Sequence, residues 1–154
     1  MMDLGTQAFI SFAQFLDNPY IFFSLIILAV LATEPRNGKR AKIAAALVIA
    51  GLLTLAAKDL VMQPRPCVDG GSLIQCPLDY SLPSGHAAIA FTLMIAFIGN
   101  RYFPLYWLFA LLVAYSRFFL GVHTFEDIAA ALVVAPIAYQ LADLLWGAFI
   151  EGKK

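Results

Sequence analysis

Five long stretches without a charged residue limit what this chain can fold into. They are Asn18 to Thr33, Ile43 to Ala57, Ala87 to Asn100, Tyr102 to Ser116 and Ile128 to Ala142. The chain is 62% hydrophobic and 13% charged, which is unlike the composition of a water-soluble domain. Each stretch is slightly shorter than the roughly 20 apolar residues that cross a bilayer, so each helix needs polar flanking residues to reach the interfaces. The sequence therefore predicts an all-α membrane bundle with five spanning helices, forming a single domain over residues 1–154.

The segment before the first stretch predicts a helix of a different kind. Its apolar residues recur at helical spacing, opposite a polar face: Leu4, Ala8, Phe9, Phe12, Phe15 and Leu16. This pattern is typical of an amphipathic helix that lies in the membrane interface, here on the extracytoplasmic side. Asn18 and Pro19 then form an N-cap and a first helical position, so we expect a separate spanning helix to begin there. The alternative is that the segment is the first half of one long helix.

The basic residues are unevenly distributed, although the formal net charge is zero. Seven of them cluster in two short turns and at the C-terminus: Arg36, Lys39, Arg40, Lys42, Arg101, Lys153 and Lys154. The positive-inside rule predicts that these seven are cytoplasmic. Lys58, Arg65 and Arg117 then lie at the extracytoplasmic face, where topology gives no reason for them, and we interpret them as part of a functional site. The alternative is snorkelling to lipid headgroups. Since the chain has no basic domain or tail, we expect no nucleic-acid partner.

Two cysteines, Cys67 and Cys76, lie in the second extracytoplasmic loop. An oxidising compartment permits a disulfide there, which would clamp the loop between two polar segments. Two free thiols are the alternative. The loop contains no histidine to complete a zinc site, so we expect no metal.

Three polar segments are predicted to meet at the extracytoplasmic face. They run from Lys58 to Pro66, from Pro83 to His86 and from Ser116 to Asp127. Together they supply three cations, two histidines and a carboxylate. Cleavage of a phosphate ester needs fixed positive charge for the nonbridging oxygens, a nucleophile and an acid for the leaving group. The segments therefore predict a phosphate site.

The second polar segment opens a helix. Its free backbone N–H groups around Ser84 and Gly85, at the positive end of the helix dipole, form an anion site. His86 follows in the first turn, where it is placed to protonate a leaving group. The alternative is an ordinary helix start with a surface histidine.

The third polar segment places His123 and Asp127 four residues apart at the start of the last helix. Their side chains share one helix face, so the carboxylate can fix the tautomer of the imidazole and leave its other nitrogen free to attack. The alternative is that Asp127 forms a capping box with Thr124 and satisfies only backbone donors.

These segments resemble the signature of the type 2 phosphatidic acid phosphatase family, which also includes vanadium haloperoxidases. The family patterns are Lys, six residues, Arg-Pro; then Pro-Ser-Gly-His; then Ser-Arg, five residues, His, three residues, Asp. Each is complete here, at Lys58 to Pro66, Pro83 to His86 and Ser116 to Asp127. The resemblance implies that five residues bind the phosphate: Lys58, Arg65, Ser84, Gly85 and Arg117. It also implies that His86 is the general acid and that His123 is a nucleophile oriented by Asp127.

We therefore expect an integral-membrane lipid phosphatase of the plasma or cytoplasmic membrane, acting through a phosphohistidine at the extracytoplasmic face. The outer-face site and the habit of the family favour a polyprenyl, undecaprenyl-type diphosphate; phosphatidylglycerophosphate or phosphatidic acid is the alternative. Vanadate-dependent halide oxidation and a non-catalytic lipid-phosphate binding or flipping protein are remoter alternatives. Because three cations and a helix N-terminus supply positive charge, we expect neither a divalent metal nor another cofactor. The sequence gives no oligomeric state.

Overall fold

The computed structural model describes residues 3–151, and six α-helices account for most of them. The helices are α1 Leu4–Asp17, α2 Pro19–Thr33, α3 Asn37–Val61, α4 Gly85–Ala96, α5 Phe103–Phe119 and α6 Phe125–Glu151. No β-strand occurs within the described range. The predicted all-α class is therefore confirmed.

The first two helices are separate, as the Asn18-Pro19 pair predicts. The side chain of Asn18 accepts hydrogen bonds from the backbone N–H groups of Tyr20 and Ile21, and Pro19 occupies the first helical position. The axes of α1 and α2 are bent by 84° at this junction. A new helix therefore starts at Pro19, so α1 and α2 are not one long continuous helix.

The ends of the helices near the loop over residues 62–84 follow from local chemistry. Helix α3 ends at Val61, and Met62 adopts a left-handed conformation with φ of 52°. Pro64 and Pro66 follow and cannot continue the helix. The chain re-enters a helix at Gly85, with Ser84 as N-cap. Both ends of this loop therefore lie at the same end of the bundle.

Helix α4 is the centre of the bundle and packs against α3, α5 and α6. Most of its residues are buried: Ala87, Ala88, Ile89, Ala90, Phe91, Thr92, Leu93 and Ala96. Alanines of the neighbouring helices, including Ala50 of α3 and Ala131 of α6, are also fully buried. Small side chains let helix backbones approach closely. Helix α1 packs against α2 and α5 at the edge.

Two helices are long and apolar enough to cross a membrane by themselves. These are Asn37–Val61 and the Phe125–Phe149 part of α6, and the bent α1–α2 pair adds a third if it is counted as one span. Helices α4 and α5 are apolar but shorter. Helix length and composition thus support two or three spans, fewer than the predicted five. Lys153 and Lys154 lie outside the described residues.

The end of the bundle opposite the polar segments carries a buried acid that was not singled out in the sequence. The Glu34 side chain is 1% exposed and lies 2.8 Å from Nε of Arg36 and 3.1 Å from Nζ of Lys39. The hydrogen bond from Arg36, opposed by burial and assisted by Lys39, lowers the pKa of Glu34 to about 2. Lys42 of α3 pairs with Asp143 of α6 at 2.5 Å.

Candidate active site

The three predicted polar segments lie together at one end of the bundle. The C-terminal end of α3, the N-terminal end of α4 and the α5–α6 connection surround a cavity of about 490 Å³. Six predicted site residues line it: Lys58, Arg65, Gly85, His86, Arg117 and His123. The other two, Ser84 and Asp127, are fully buried, Ser84 beside Gly85 in the chain and Asp127 in contact with His123. The structure therefore assembles every residue of the predicted site.

His123 is held at both ring nitrogens. Its Nδ1 lies 3.2 Å from Oδ2 of Asp127, and its Nε2 lies 3.1 Å from Nη1 of Arg65. A guanidinium can only donate, so Nε2 carries the lone pair and Nδ1 carries the proton that it donates to Asp127. The unprotonated Nε2 consequently faces the guanidinium of Arg65.

The surroundings of His123 also favour its neutral form. Burial lowers the pKa of His123; the hydrogen bond to Asp127 opposes this effect, and the nearby Arg65 and Lys58 cations add to it. The net pKa lies below the ordinary histidine value. The imidazole is therefore mostly uncharged at neutral pH, which is the nucleophilic form.

Asp127 caps α6 and orients His123 at the same time. Its Oδ2 accepts from the N–H of Thr124 at 2.7 Å, and its own N–H donates to Oγ1 of Thr124 at 3.3 Å, which completes a capping box. The same Oδ2 accepts from the Ser81 hydroxyl at 2.5 Å. Asp127 thus forms the capping box and also contacts His123, so it does not satisfy backbone donors alone.

Lys58 and Arg65 share one carboxylate. Asp79 places Oδ2 2.8 Å from Nζ of Lys58 and Oδ1 2.7 Å from Nη2 of Arg65. Arg65 also donates to the carbonyls of Asp79 and Val122 at 2.9 and 3.0 Å, and Lys58 donates to the carbonyl of Tyr80. Burial raises the pKa of Asp79, but the two cations lower it more, so its pKa lies below the ordinary value. Asp79 is ionised at neutral pH.

Arg117 is fixed by helix α1. Its Nη1 donates to Oδ1 of Asp17 at 2.6 Å and its Nη2 to the carbonyl of Ala13 at 3.0 Å, while Nε donates to the hydroxyl of Ser116. The Arg117 side chain is 1% exposed, so these partners replace water around the guanidinium. A helix outside the three motif segments therefore positions one of the three cations.

The start of α4 presents unsatisfied groups beside the cavity. Ser84 is the N-cap, but its side chain makes no capping hydrogen bond, and its buried hydroxyl has no hydrogen-bond partner within residues 3–151. A buried donor without a partner is costly, and an incoming anion would satisfy it. His86 is the second residue of the helix, and its ring centroid lies 4.7 Å from that of Phe22. Packing against Phe22 holds the imidazole at the cavity.

One wall of the cavity is apolar. It is formed by Phe22, Phe23, Gly51, Leu55 and Ile89. Phe23 of α2 and Leu55 of α3 are also 47% and 59% exposed on the outside of the bundle. The cavity therefore joins a charged interior to an apolar outer surface between α2 and α3.

The loop over residues 62–84 is tied down at several points. Cys67 and Cys76 form a disulfide, as predicted. The N–H of Leu73 donates to the carbonyl of Leu120 at 3.0 Å, which joins this loop to the α5–α6 connection. Gly121 has φ of 72°, and a Cβ there would lie 3.1 Å from the carbonyl oxygen of Gly71. Only glycine allows the two loops to approach this closely.

Three residues of the site were missed by sequence reasoning: Asp17, Asp79 and Ser81. Asp17 ends α1, and Asp79 and Ser81 lie in the loop between two motifs. Ser81 lies two positions before the Pro83 to His86 motif, and this proximity is the one sequence signal that pointed to it. Asp17 and Asp79 are distant from their partners in the sequence, and only the fold brings them into contact. Within residues 3–151, no three His, Cys, Asp or Glu side chains form a potential metal-binding group.

A histidine paired with a carboxylate thus lies beside buried cations at the end of an apolar helical bundle. The chain matches the family model of the PAP2 superfamily over residues 40–142 and belongs to that superfamily. The sequence resemblance is thereby confirmed, and the chain is an integral membrane protein of this family. Asp17, Ala13 and the rest of α1 lie outside the matched range.

Similar proteins include both sequence relatives and solved structures. The chain is 31% identical over 112 residues to a protein of Escherichia coli K12 named "Putative undecaprenyl-diphosphatase YbjG", and 27% identical over 150 residues to human sphingosine-1-phosphate phosphatase 2. These alignments cover 70% and 90% of this chain but only 57% and 33% of the two relatives.

Among solved structures, Aquifex aeolicus LpxE superposes with a TM-score of 0.70 at 26% identity, over 92% of this chain and 87% of that one. A transmembrane phosphatidylglycerolphosphate phosphatase from Bacillus subtilis superposes with a TM-score of 0.71 at 18% identity, over 100% and 81% of the two chains. The first likeness supports the family assignment, and the second shows the shared fold.

Proposed function

We propose that this protein is a membrane lipid phosphatase in which His123 attacks phosphorus and forms a phosphohistidine. The observation that carries the proposal is the environment of His123: Nδ1 is engaged by Asp127, whereas the unprotonated Nε2 faces Arg65 inside the cation-lined cavity. A preorganised site of this kind stabilises charge that develops in the transition state.

The remaining groups have matching roles in the proposed reaction. Lys58, Arg65 and Arg117 hold the nonbridging oxygens, with the free hydroxyl of Ser84 and the N–H groups that begin α4 at Gly85. As the bond from Nε2 to phosphorus forms, the bond from phosphorus to the leaving oxygen breaks. His86 gives its proton to that oxygen, and water then attacks the phosphohistidine and releases orthophosphate.

The apolar wall supports a lipid as the substrate. A phosphate bound among the cations would leave the rest of the molecule next to Phe23 and Leu55, which are exposed on the outer surface between α2 and α3. The lipid chain would thus stay in the bilayer during the reaction. The Escherichia coli relative favours a polyprenyl diphosphate, and the human relative acts on a different lipid phosphate, so a monophosphate such as phosphatidic acid or phosphatidylglycerophosphate is the second candidate.

In the proposed topology, helices α2 to α6 all cross the bilayer and α1 lies in the interface. Pro19 at the start of α2, the end of α3, the start of α4 and the α5–α6 connection all border the same cavity, so successive helices alternate in direction. The basic turn with Arg36, Lys39 and Lys42 lies at the opposite end. The positive-inside rule then puts the site on the extracytoplasmic side.

We further propose that turnover needs no divalent metal, because three cations and a helix N-terminus already neutralise the phosphate. The test is release of orthophosphate from a panel of pure substrates in detergent, with and without EDTA. The panel contains undecaprenyl diphosphate, phosphatidylglycerophosphate, phosphatidic acid and a soluble nitrophenyl phosphate. We expect the wild type to hydrolyse at least one lipid and to lose little activity with EDTA. His123→Ala should hydrolyse none of the substrates. Hydrolysis by His123→Ala at the wild-type rate would overturn the nucleophile, and activity restored only by added Mg²⁺ would overturn the metal-free mechanism.

A further inference from the structure

Asp79 contacts the same two cations that would neutralise the charge of a bound phosphate. Its two carboxylate oxygens contact two different cations, Lys58 at 2.8 Å and Arg65 at 2.7 Å. A phosphate would present two oxygens to the same pair. Asp79 lines the cavity with them, together with His123.

The two cations need an anion at all times, whereas Asp79 does not need the cations to the same degree. The side chains of Lys58 and Arg65 are 5% and 6% exposed, and that of Asp79 is 53% exposed. A buried cation without a partner costs several kcal/mol. An aspartate at the mouth of the cavity can instead turn into water, so the contact is readily exchanged for a stronger anion.

The chain keeps Asp79 close to its partners. Cys67 follows Arg65 by two positions, Cys76 precedes Asp79 by three, and the disulfide joins them. The carbonyl of Asp79 also accepts a hydrogen bond from Nε of Arg65 at 2.9 Å. This tether leaves the side chain free while the backbone stays in place, which gives the carboxylate a high effective concentration at the cations.

We propose that the Asp79 carboxylate occupies the phosphate site of the resting protein and must be displaced by the phosphate of the substrate. This inference rests on the proposed function, because it takes the displacing phosphate to be the one that is hydrolysed. Asp79 supplies the missing anion before substrate binds and after orthophosphate leaves. The apparent affinity for phosphate is lowered by the fraction of molecules in which the carboxylate is in place. Asp79 thereby determines how easily the product leaves.

The test measures orthophosphate binding by calorimetry on the purified protein in detergent, without any substrate. If the carboxylate occupies the site in nine molecules out of ten, Asp79→Asn should bind phosphate about tenfold more tightly than the wild type. Asp79→Glu keeps a competing carboxylate and should bind close to the wild-type level. Because no turnover is measured, this result does not depend on whether the protein hydrolyses a lipid.

The matched control is Asp59→Asn. Asp59 is exposed and follows Lys58 in the chain, but its carboxylate forms none of these ion pairs. This variant should leave phosphate affinity nearly unchanged. Unchanged or weaker phosphate binding in Asp79→Asn would show that Asp79 only positions the cations and would overturn the proposal. An equal gain in Asp59→Asn would also overturn it, because the effect would then be general electrostatics. Asp79→Ser replaces Asp79→Asn if the latter does not fold.

Discussion

His123 and His86 face the same cavity but differ in what surrounds their rings. His123 is held between Asp127 and Arg65, whereas the ring of His86 lies against that of Phe22. A nucleophile needs an unprotonated nitrogen and a fixed direction, and the contacts of His123 with Arg65 and Asp127 provide both. A general acid needs to reach the leaving oxygen, and His86 lies on the wall of the cavity next to the anion site at Gly85.

This difference predicts distinct effects of the two alanine substitutions. His123→Ala should abolish the phosphoenzyme and reduce turnover to background, because no other group at the cavity is oriented for attack. His86→Ala should slow hydrolysis of lipid substrates by about 10²-fold or more, but much less for nitrophenyl phosphate, whose leaving group needs little protonation. Trapping of an acid-labile, base-stable phosphoprotein, with rates for both substrate types, checks this. Equal losses on both substrates in His86→Ala would contradict the general-acid role.

The lowered pKa of His123 predicts the acid side of the pH profile. The neutral imidazole attacks, so activity falls when His123 becomes protonated, and burial moves this loss to a pH below the ordinary histidine value of 6.5. The substrate phosphate also titrates, near pH 6. The variant Asp127→Asn distinguishes the titration of His123 from that of the phosphate. Asp127 raises the pKa of His123, so the acid limb of kcat/KM should move to lower pH in Asp127→Asn. An acid limb at the same pH in both proteins would assign it to the substrate.

Residues with a characteristic local spacing could be predicted, and residues that act through the path of the chain could not. The spacing of His123 and Asp127 is set by one helical turn, so their contact follows from the sequence. Asp17 reaches Arg117 across 100 positions, and Asp79 reaches Lys58 from the far side of a loop. A single carboxylate in a turn has no pattern that reveals such a partner.

At the scale of elements, capping chemistry predicted where helices begin and end. The start of α2 after Asn18 and the end of α3 before Met62 are where local side chains and prolines place them. Lengths were less predictable, because uncharged stretches continue into turns: the stretch from Ala87 to Asn100 contains a helix that ends at Ala96. A short central helix such as α4 is compatible with a bundle in which neighbouring helices cover it.

The loop over residues 62–84 depends on its disulfide for stability. The bridge closes a loop of nine positions, for which the chain-entropy relation gives a stabilisation of about 2–3 kcal/mol. Reduction should lower the thermal unfolding midpoint in detergent, because the open loop gains conformational entropy in the unfolded chain. The double variant Cys67→Ser, Cys76→Ser is the control, since a reductant should not change it further. Wild-type protein whose midpoint is the same with and without reductant would contradict this role.

For the whole molecule, the two ends of the bundle differ in the charges they bury. One end holds Lys58, Arg65 and Arg117 around the cavity, and the other holds Glu34 with its basic partners. Apolar side chains are exposed on the surface between them, including Leu52 at 61% and Leu144 at 70%. This distribution suits a molecule that crosses a bilayer, with a polar region at each side. Charge bias in the turns then decides which end faces the cytoplasm.

This asymmetry predicts the side on which each end is labelled. Pro35 and Glu126 are exposed at opposite ends of the bundle, and the native cysteines are joined in a disulfide. In intact cells, a membrane-impermeant maleimide should label Glu126→Cys and spare Pro35→Cys; in inside-out vesicles the pattern should reverse. Permeabilised membranes should label both variants, and the unsubstituted protein should remain unlabelled. Labelling of Pro35→Cys alone in intact cells would place the active site on the cytoplasmic side, and the substrate phosphate would then have to be presented from within the cell.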